Sequence, residues 1–235
     1  MELIERNVKI FSLKNLRLLK RLREENGVEK SDEADAKLLS IIPRNHFRPL
    51  TLKELKLLQL INIYEKYARW KKTVQQWANA CPQNPLKECV KRLRSLRDHY
   101  GYRIIKEVMK NKDYATIYRM TCEELELRDS VEVAILVARL PLNWKLSRLK
   151  GLLGLTPHKN KNKNNYNHKL RTHLTRLAAT IYVNNKRYGT GVKLFENISC
   201  GPQNKVLYAL QLRILKILKK AWQQQQKQRM LAGGQ

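Results

Sequence analysis

Apolar residues recur at helical spacing along most of this chain. Leu16, Leu19 and Leu22 mark one short helix over residues 14–25, and Asn26-Gly27 stops it. A second helix is expected to start at Asp32, read as an N-cap with Asp35 three residues on. It carries Leu38, Leu39 and Ile42 and ends at Pro43. Residues 7–13 alternate enough for a strand, the only good candidate near the start. A lone strand has no ladder partner, so this segment reads as part of something larger. Thr51 with Glu54 has the form of a capping box that opens a long helix to about Asn79. Its apolar stripe (Leu52, Leu55, Leu58, Ile63, Tyr67, Trp70, Val74, Trp77) suits core or dimer packing better than a base-stacking platform.

Shorter helices are expected over residues 86–99, 102–110 and 114–127. Two more, 130–139 and 142–153, are separated at Leu140-Pro141 and closed by Gly154-Leu155-Thr156-Pro157. Residues 158–166 read as a polar loop. Residues 167–183 form an amphipathic helix with Leu170, Leu174, Leu177, Ala178 and Ile181 on one side. Gly201-Pro202 opens a last helix to about Trp222, followed by a glutamine-rich tail that should fray. The fold class is therefore mainly α.

Composition narrows the function classes. The chain has 235 residues and is 43% hydrophobic, enough to bury a core. No apolar run approaches the roughly 18 residues of a membrane span, and residues 1–6 lack the apolar stretch of a signal peptide. Four cysteines without a C-x-x-C pair argue against a disulfide scaffold and a structural zinc site. The expectation is an intracellular protein with no membrane partner. Its net charge is +28, which points first at nucleic acid. From residue 133 onward there is one carboxylate, Glu196, against 20 Lys and Arg. Lys- and Asn-rich coding alone does not explain that loss of acids. Acid-based phosphodiester chemistry would have to draw on the first half or on another chain.

Two residue sets carry candidate chemistry. Asp32 and Asp35 stand three apart at a helix start, so both carboxylates can share one side. Such a pair binds Mg²⁺ when further oxygens complete the shell, and otherwise caps a helix. Lys159, Lys161, Lys163, Lys169, Arg171 and Arg176 surround a helix N-terminus, a setting that favours phosphate over a merely solvated loop. His168 and His173, five apart, fall on different helix faces and make a poor metal pair. Neither a P-loop nor a GxGxxG is present, so nucleotide hydrolysis has no support.

Three segments together resemble the DEDD transposases of the IS-one-ten type, in which a bridge RNA guides insertion. Lys30-Ser31-Asp32-Glu33-Ala34-Asp35-Ala36-Lys37-Leu38-Leu39 is similar to that family's K-[ST]-D-x-x-D-A-x-x-L pattern. Phe47-Arg48-Pro49 matches the turn into its helical arm. Gly154-Leu155-Thr156-Pro157, followed by Asn167-His168-Lys169-Leu170-Arg171, is similar to its C-terminal helix start. The resemblance implies a RuvC-like α/β remnant over 1–46, a helical arm over 47–128 and a C-terminal transposase module over 129–235. It further implies DNA and a structured guide RNA as partners, with a full-length transposase or a second copy beside them, and a cytoplasmic, nucleoid-associated setting in a prokaryote. Of the four family acids only Asp32 and Asp35 have counterparts; the other two would lie upstream of Met1. The loop that carries the family's nucleophilic serine holds none here. Binding of Mg²⁺ thus requires a complete acid cluster assembled with help. The expected function is nucleic-acid binding in DNA transposition and recombination without a complete catalytic site. The alternative is a non-enzymatic basic protein that regulates a relative or packages DNA.

Overall fold

The computed structural model describes residues 9–14, 16–81, 86–156, 166–196, 198 and 201–232. The chain parts into two compact units, Met1–Gln59 and Leu60–Gln235.

In the first unit, β1 (Ile10–Leu13) and β2 (Phe47–Leu50) form an antiparallel ribbon with Ile10 opposite Leu50 and Leu13 opposite Phe47. The expected lone strand therefore has a partner. Phe47-Arg48-Pro49 is part of that partner rather than a turn. A proline normally argues against a strand, but both strands of a ribbon are edges, where a missing N–H can face outward. Helices α1 (Leu16–Glu25) and α2 (Asp32–Ile41) pack on each other. Leu19, Leu38 and Ile42 form a small core, with Leu13, Leu22, Leu39 and Phe47 against it. The N-cap of α2 is Ser31, not Asp32: the Ser31 hydroxyl accepts from the Ala34 N–H at 3.1 Å. Asp32 is instead the first helical residue, where a carboxylate still favours the helix dipole.

Helix α3 (Leu52–Ala80) gives its first turns to this unit and the rest to the second. Its capping box is present as expected. The Glu54 carboxylate accepts from the Thr51 N–H at 3.0 Å, and the Thr51 hydroxyl accepts from the Glu54 N–H at 3.2 Å.

The second unit is helical: α4 (Leu86–Lys110), α5 (Lys112–Glu124), α6 (Val131–Arg139), α7 (Leu146–Leu152), α8 (His168–Tyr188) and α9 (Gln203–Ala232). The short α6 is its centre. Its run Val133–Val137 is entirely buried, and α4, α5 and α8 pack around it. Helix α9 covers α5, α7 and α8.

Three expectations are corrected here. Residues 86–110 form one helix through Gly101, not two. A Cβ at Gly101 would lie 2.8 Å from Val131 Cγ2, so glycine serves close helix packing rather than a stop. The buried face of α3 within this unit is Leu60, Ile61, Tyr64, Ala68 and Ala78, while Trp70 and Trp77 are 51% and 59% exposed. The aliphatic residues and Tyr64 fill the first turns of that face, and alanines take its later positions, where the tryptophans point outward. The glutamine-rich tail stays helical to Ala232. Gln225 is buried there and donates to the Asp113 carbonyl at 3.1 Å, and Arg229 pairs with the Asp113 carboxylate. Among the described residues, no helix is long and apolar enough to cross a membrane.

Candidate functional site

Two helices of the second unit present the same charged spacing. Glu65, Arg69 and Lys72 on α3 stand at i, i+4 and i+7, as do Lys169, His173 and Arg176 on α8. That spacing places each trio on one helix face. The two faces line a cavity of about 200 Å³, with Ala68 and Thr172 between the charges. A second cavity of about 340 Å³ adjoins it, lined by Tyr64, Lys71, Gln75 and Gln76 of α3, Arg97 of α4 and Glu132 of α6. Ala68, Lys72 and Arg176 border both.

At the back of this groove His173 is only 2% exposed. Its Nδ1 makes a very short contact with the Glu132 carboxylate, and its Nε2 lies 3.3 Å from Glu65 Oε1. Arg139 donates to the same Glu65 oxygen at 2.7 Å, and Lys169 Nζ stands 3.2 Å from the other. The Tyr64 hydroxyl donates to Glu132 at 3.2 Å. A buried carboxylate or imidazolium is costly unless paired, and here each is paired more than once.

The titration of these groups follows from that arrangement. Burial alone would raise the Glu65 carboxyl, but His173, Arg139 and Lys169 outweigh it and hold it at about 2. Burial alone would lower His173, but its hydrogen bonds to Glu132 and Glu65 hold it above the ordinary histidine value. Burial, then the Glu132 charge, pushes the Tyr64 phenol up, so it remains a donor. Both imidazole nitrogens are engaged, which leaves His173 as a support for the groove and not a proton carrier for a bound molecule. Its two carboxylates sit on opposite ring edges and do not converge on one point. Among the described residues, no group of three or more His, Cys, Asp or Glu could hold a metal ion.

The groove itself is cationic. Arg69, Lys71, Lys72, Arg97, Lys169 and Arg176 line it against two carboxylates, both already engaged from behind. Arg97 also pairs with Asp98 at 2.8 Å. Among the described residues, Arg69 and Lys72 pair with no carboxylate and are exposed. The Lys71 ammonium is pushed below its ordinary value by burial first, then by the nearby charges of Arg97 and Arg94, with Asp98 opposing. Like charges crowded together in this way favour an anion in their midst.

The sequence-predicted residues separate into groups. Lys169 and Arg176 come together in this groove. Arg171 does not join them: its guanidinium donates to the Leu153 carbonyl at 3.0 Å, and burial lowers its pKa. Lys159, Lys161 and Lys163 lie outside the described residues. The residues flanking them are fixed. Asn167 donates its N–H to the Leu152 carbonyl at 2.8 Å and caps α8 through Leu170 N. Across from it the Tyr166 ring lies against Gly154, where φ is +64° and a Cβ would meet the ring at 2.8 Å. Asp32 is exposed, and Asp35 forms an ion pair with Arg23 at 3.2 Å. Two carboxylates, one neutralised by a guanidinium, do not by themselves fit the oxygen-rich shell that Mg²⁺ requires.

Sequence reading passed over Glu65, Arg69, Lys71, Lys72, Arg97, Glu132 and the role of His173. A signal was available in part: the repeated i, i+4, i+7 charges on two helices otherwise rich in apolar residues. No protein-family model matches the chain, and no curated protein matches its sequence.

Proposed function

We propose that this chain binds nucleic acid through the basic surface of its second unit and acts in DNA transposition or recombination without cutting a strand itself. One observation carries the binding reading. The groove's two carboxylates are shared out, Glu65 among His173, Arg139 and Lys169 and Glu132 between His173 and Arg176, which leaves Arg69, Lys71 and Lys72 facing the groove without an acid partner among the described residues. A protein that spends its acids behind a wall of cations is suited to phosphate. The transposase class comes from the resemblance of Lys30–Leu39 and Gly154–Pro157 to the DEDD family, which also suggests DNA and a guide RNA as the nucleic acids.

The test is fluorescence anisotropy of a labelled DNA duplex and a structured RNA across a salt series. The logarithm of affinity should fall linearly with the logarithm of salt, at about 0.9 per phosphate contact for duplex. Affinity independent of salt would sink the reading.

A non-enzymatic role is favoured by the Arg23–Asp35 ion pair, which engages one of the two carboxylates the family chemistry would use. Purified chain with Mg²⁺ and supplied RNA should retard DNA and leave it intact. A covalent protein–DNA adduct that disappears in the Asp32→Ala, Asp35→Ala variant would overturn this.

A further inference from the structure

The two cavities between α3 and α8 are too small for a duplex and share a wall. Lys72 and Arg176 border both, at about 200 and 340 Å³. Each cavity has its own further cations: Arg69 and Lys169 in the first, Lys71 and Arg97 in the second. Guanidinium forks and ammonium groups are the side chains that bind phosphate oxygens best. Neutral side chains lie among them without adding opposing charge: Thr172 in the first cavity, its hydroxyl donating to the His168 carbonyl at 2.8 Å, and in the second Gln76 and Gln75, the latter donating one N–H to Asn79 at 2.9 Å. The remaining amide N–H groups of Gln75 and Gln76 suit the ester and sugar oxygens that flank a backbone phosphate.

We infer that this groove seats two consecutive phosphates of one nucleic-acid strand, one in each cavity, with Lys72 and Arg176 bridging them. The inference rests on the nucleic-acid reading above and adds the place and the register. A free phosphate would fill one cavity and leave the other's cations unanswered. A repeating phosphodiester fills both, and its second charge falls where Arg97 and Arg94 already crowd Lys71. The network behind keeps the site rigid: His173, held by Glu65 and Glu132, ties α8 to α3 and α6 at the groove's back wall.

The test uses the full chain and a short labelled oligothymidylate. In the Arg69→Gln, Lys72→Gln variant both altered side chains are exposed and unpaired, so the melting temperature should hold. Affinity for the oligonucleotide should fall about tenfold or more, and the salt slope should flatten by about 1.4, the value for two single-strand contacts. Lys72→Glu alone should weaken binding further than Lys72→Gln, and Lys227→Gln, exposed on α9, should change nothing. Unchanged affinity and slope in the double variant, with the parent still binding, would overturn the groove and leave the nucleic-acid reading standing. A parent that binds no nucleic acid would overturn both. Inorganic phosphate competing as well as the oligonucleotide would make this a free-phosphate site and overturn the strand.

Discussion

The two units handle their carboxylates in opposite ways. In the first, Asp32 and Asp35 stand three residues apart at the start of one helix, and Asp35 pairs with a single arginine from the helix before while Asp32 stays exposed. In the second, Glu65 and Glu132 come from separate helices and close on a histidine 108 and 41 residues away, respectively. The first arrangement is local, and one of its two carboxylates, Asp32, stays exposed. The second is buried, cross-linked and assembled only by folding. A pair of acids close in sequence is easy to notice and contributes little, whereas the acids that shape the charged groove have no local signature.

The largest effect expected from this contrast is at His173. Replacing it by leucine leaves two mostly buried carboxylates short of their shared cation and should cost about 3–5 kcal/mol in urea unfolding. Asp35→Asn, at a partly exposed ion pair, should cost less than about 1 kcal/mol. Equal costs at the two sites would break the comparison.

Stability against pH sharpens it. His173 is raised, so its contribution is full below the ordinary histidine value of 6.5 and is lost as pH rises through the folded value. Glu65 is lowered to about 2 from 4.5, so its contribution is full above 4.5 and is lost as pH falls toward 2. The network's share of stability should therefore form a plateau between these limits and decline on both sides. His173→Leu should abolish the upper decline; a decline that persists belongs to another group.

Glycines give the next, smaller contrast. Gly101→Ala would gain about 1 kcal/mol of helix propensity but brings a methyl to 2.8 Å from Val131. Overpacking of this kind costs about 1–3 kcal/mol, so a net loss is expected on thermal melting. Gly27, in the first unit, has φ +60° and open space where a Cβ would stand. Alanine there should cost about 1 kcal/mol from backbone strain alone. If pairing Gly101→Ala with Val131→Ala fails to recover stability, the contact with Val131 is not the cause.

How much of this was legible beforehand follows from the range of the interactions. The Thr51–Glu54 capping box, the Ser130 start of α6 and the apolar side of α8 are local patterns, and each is found where the spacing puts it. What long-range packing decides was not legible. Nothing near residue 101 reveals that Val131 will press on it. Nothing near residue 11 reveals that Pro49 will lie opposite Phe11. On α3 bulky tryptophans drew attention away from Leu60, Ile61, Tyr64, Ala68 and Ala78, which are buried while the tryptophans are exposed. The site shows the same limit. Lys169 and Arg176 were visible as cations near a helix start, but the facing wall of Arg69 and Lys72 lies about a hundred residues earlier. The scarcity of acids after residue 133 correctly marked that half as basic, yet concealed that Glu65 and Glu132 would be brought to it.

The smallest effect expected concerns Arg23 and Asp35. Their atoms stand 3.2 Å apart, but the Nε–H is not aimed at the oxygen as in a hydrogen bond, and both are partly shielded from solvent. Coulomb attraction in such a setting is modest, and part of it is spent in fixing a long side chain. A double-mutant cycle with Arg23→Gln and Asp35→Asn should give a coupling below about 1 kcal/mol. If the guanidinium is the true partner of Asp35, adding Mg²⁺ should leave the melting temperature of the parent unchanged, since displacing a fixed cation by a strongly hydrated one gains little. Arg23→Gln should then be the only background in which Mg²⁺ stabilises the chain, and only while Asp32 and Asp35 are intact. A Mg²⁺-dependent rise in the parent, lost in Asp32→Asn, would show instead that the carboxylates prefer the metal to the arginine, and the contrast between a local pair and an assembled one would then lie in their ligands rather than in their energies.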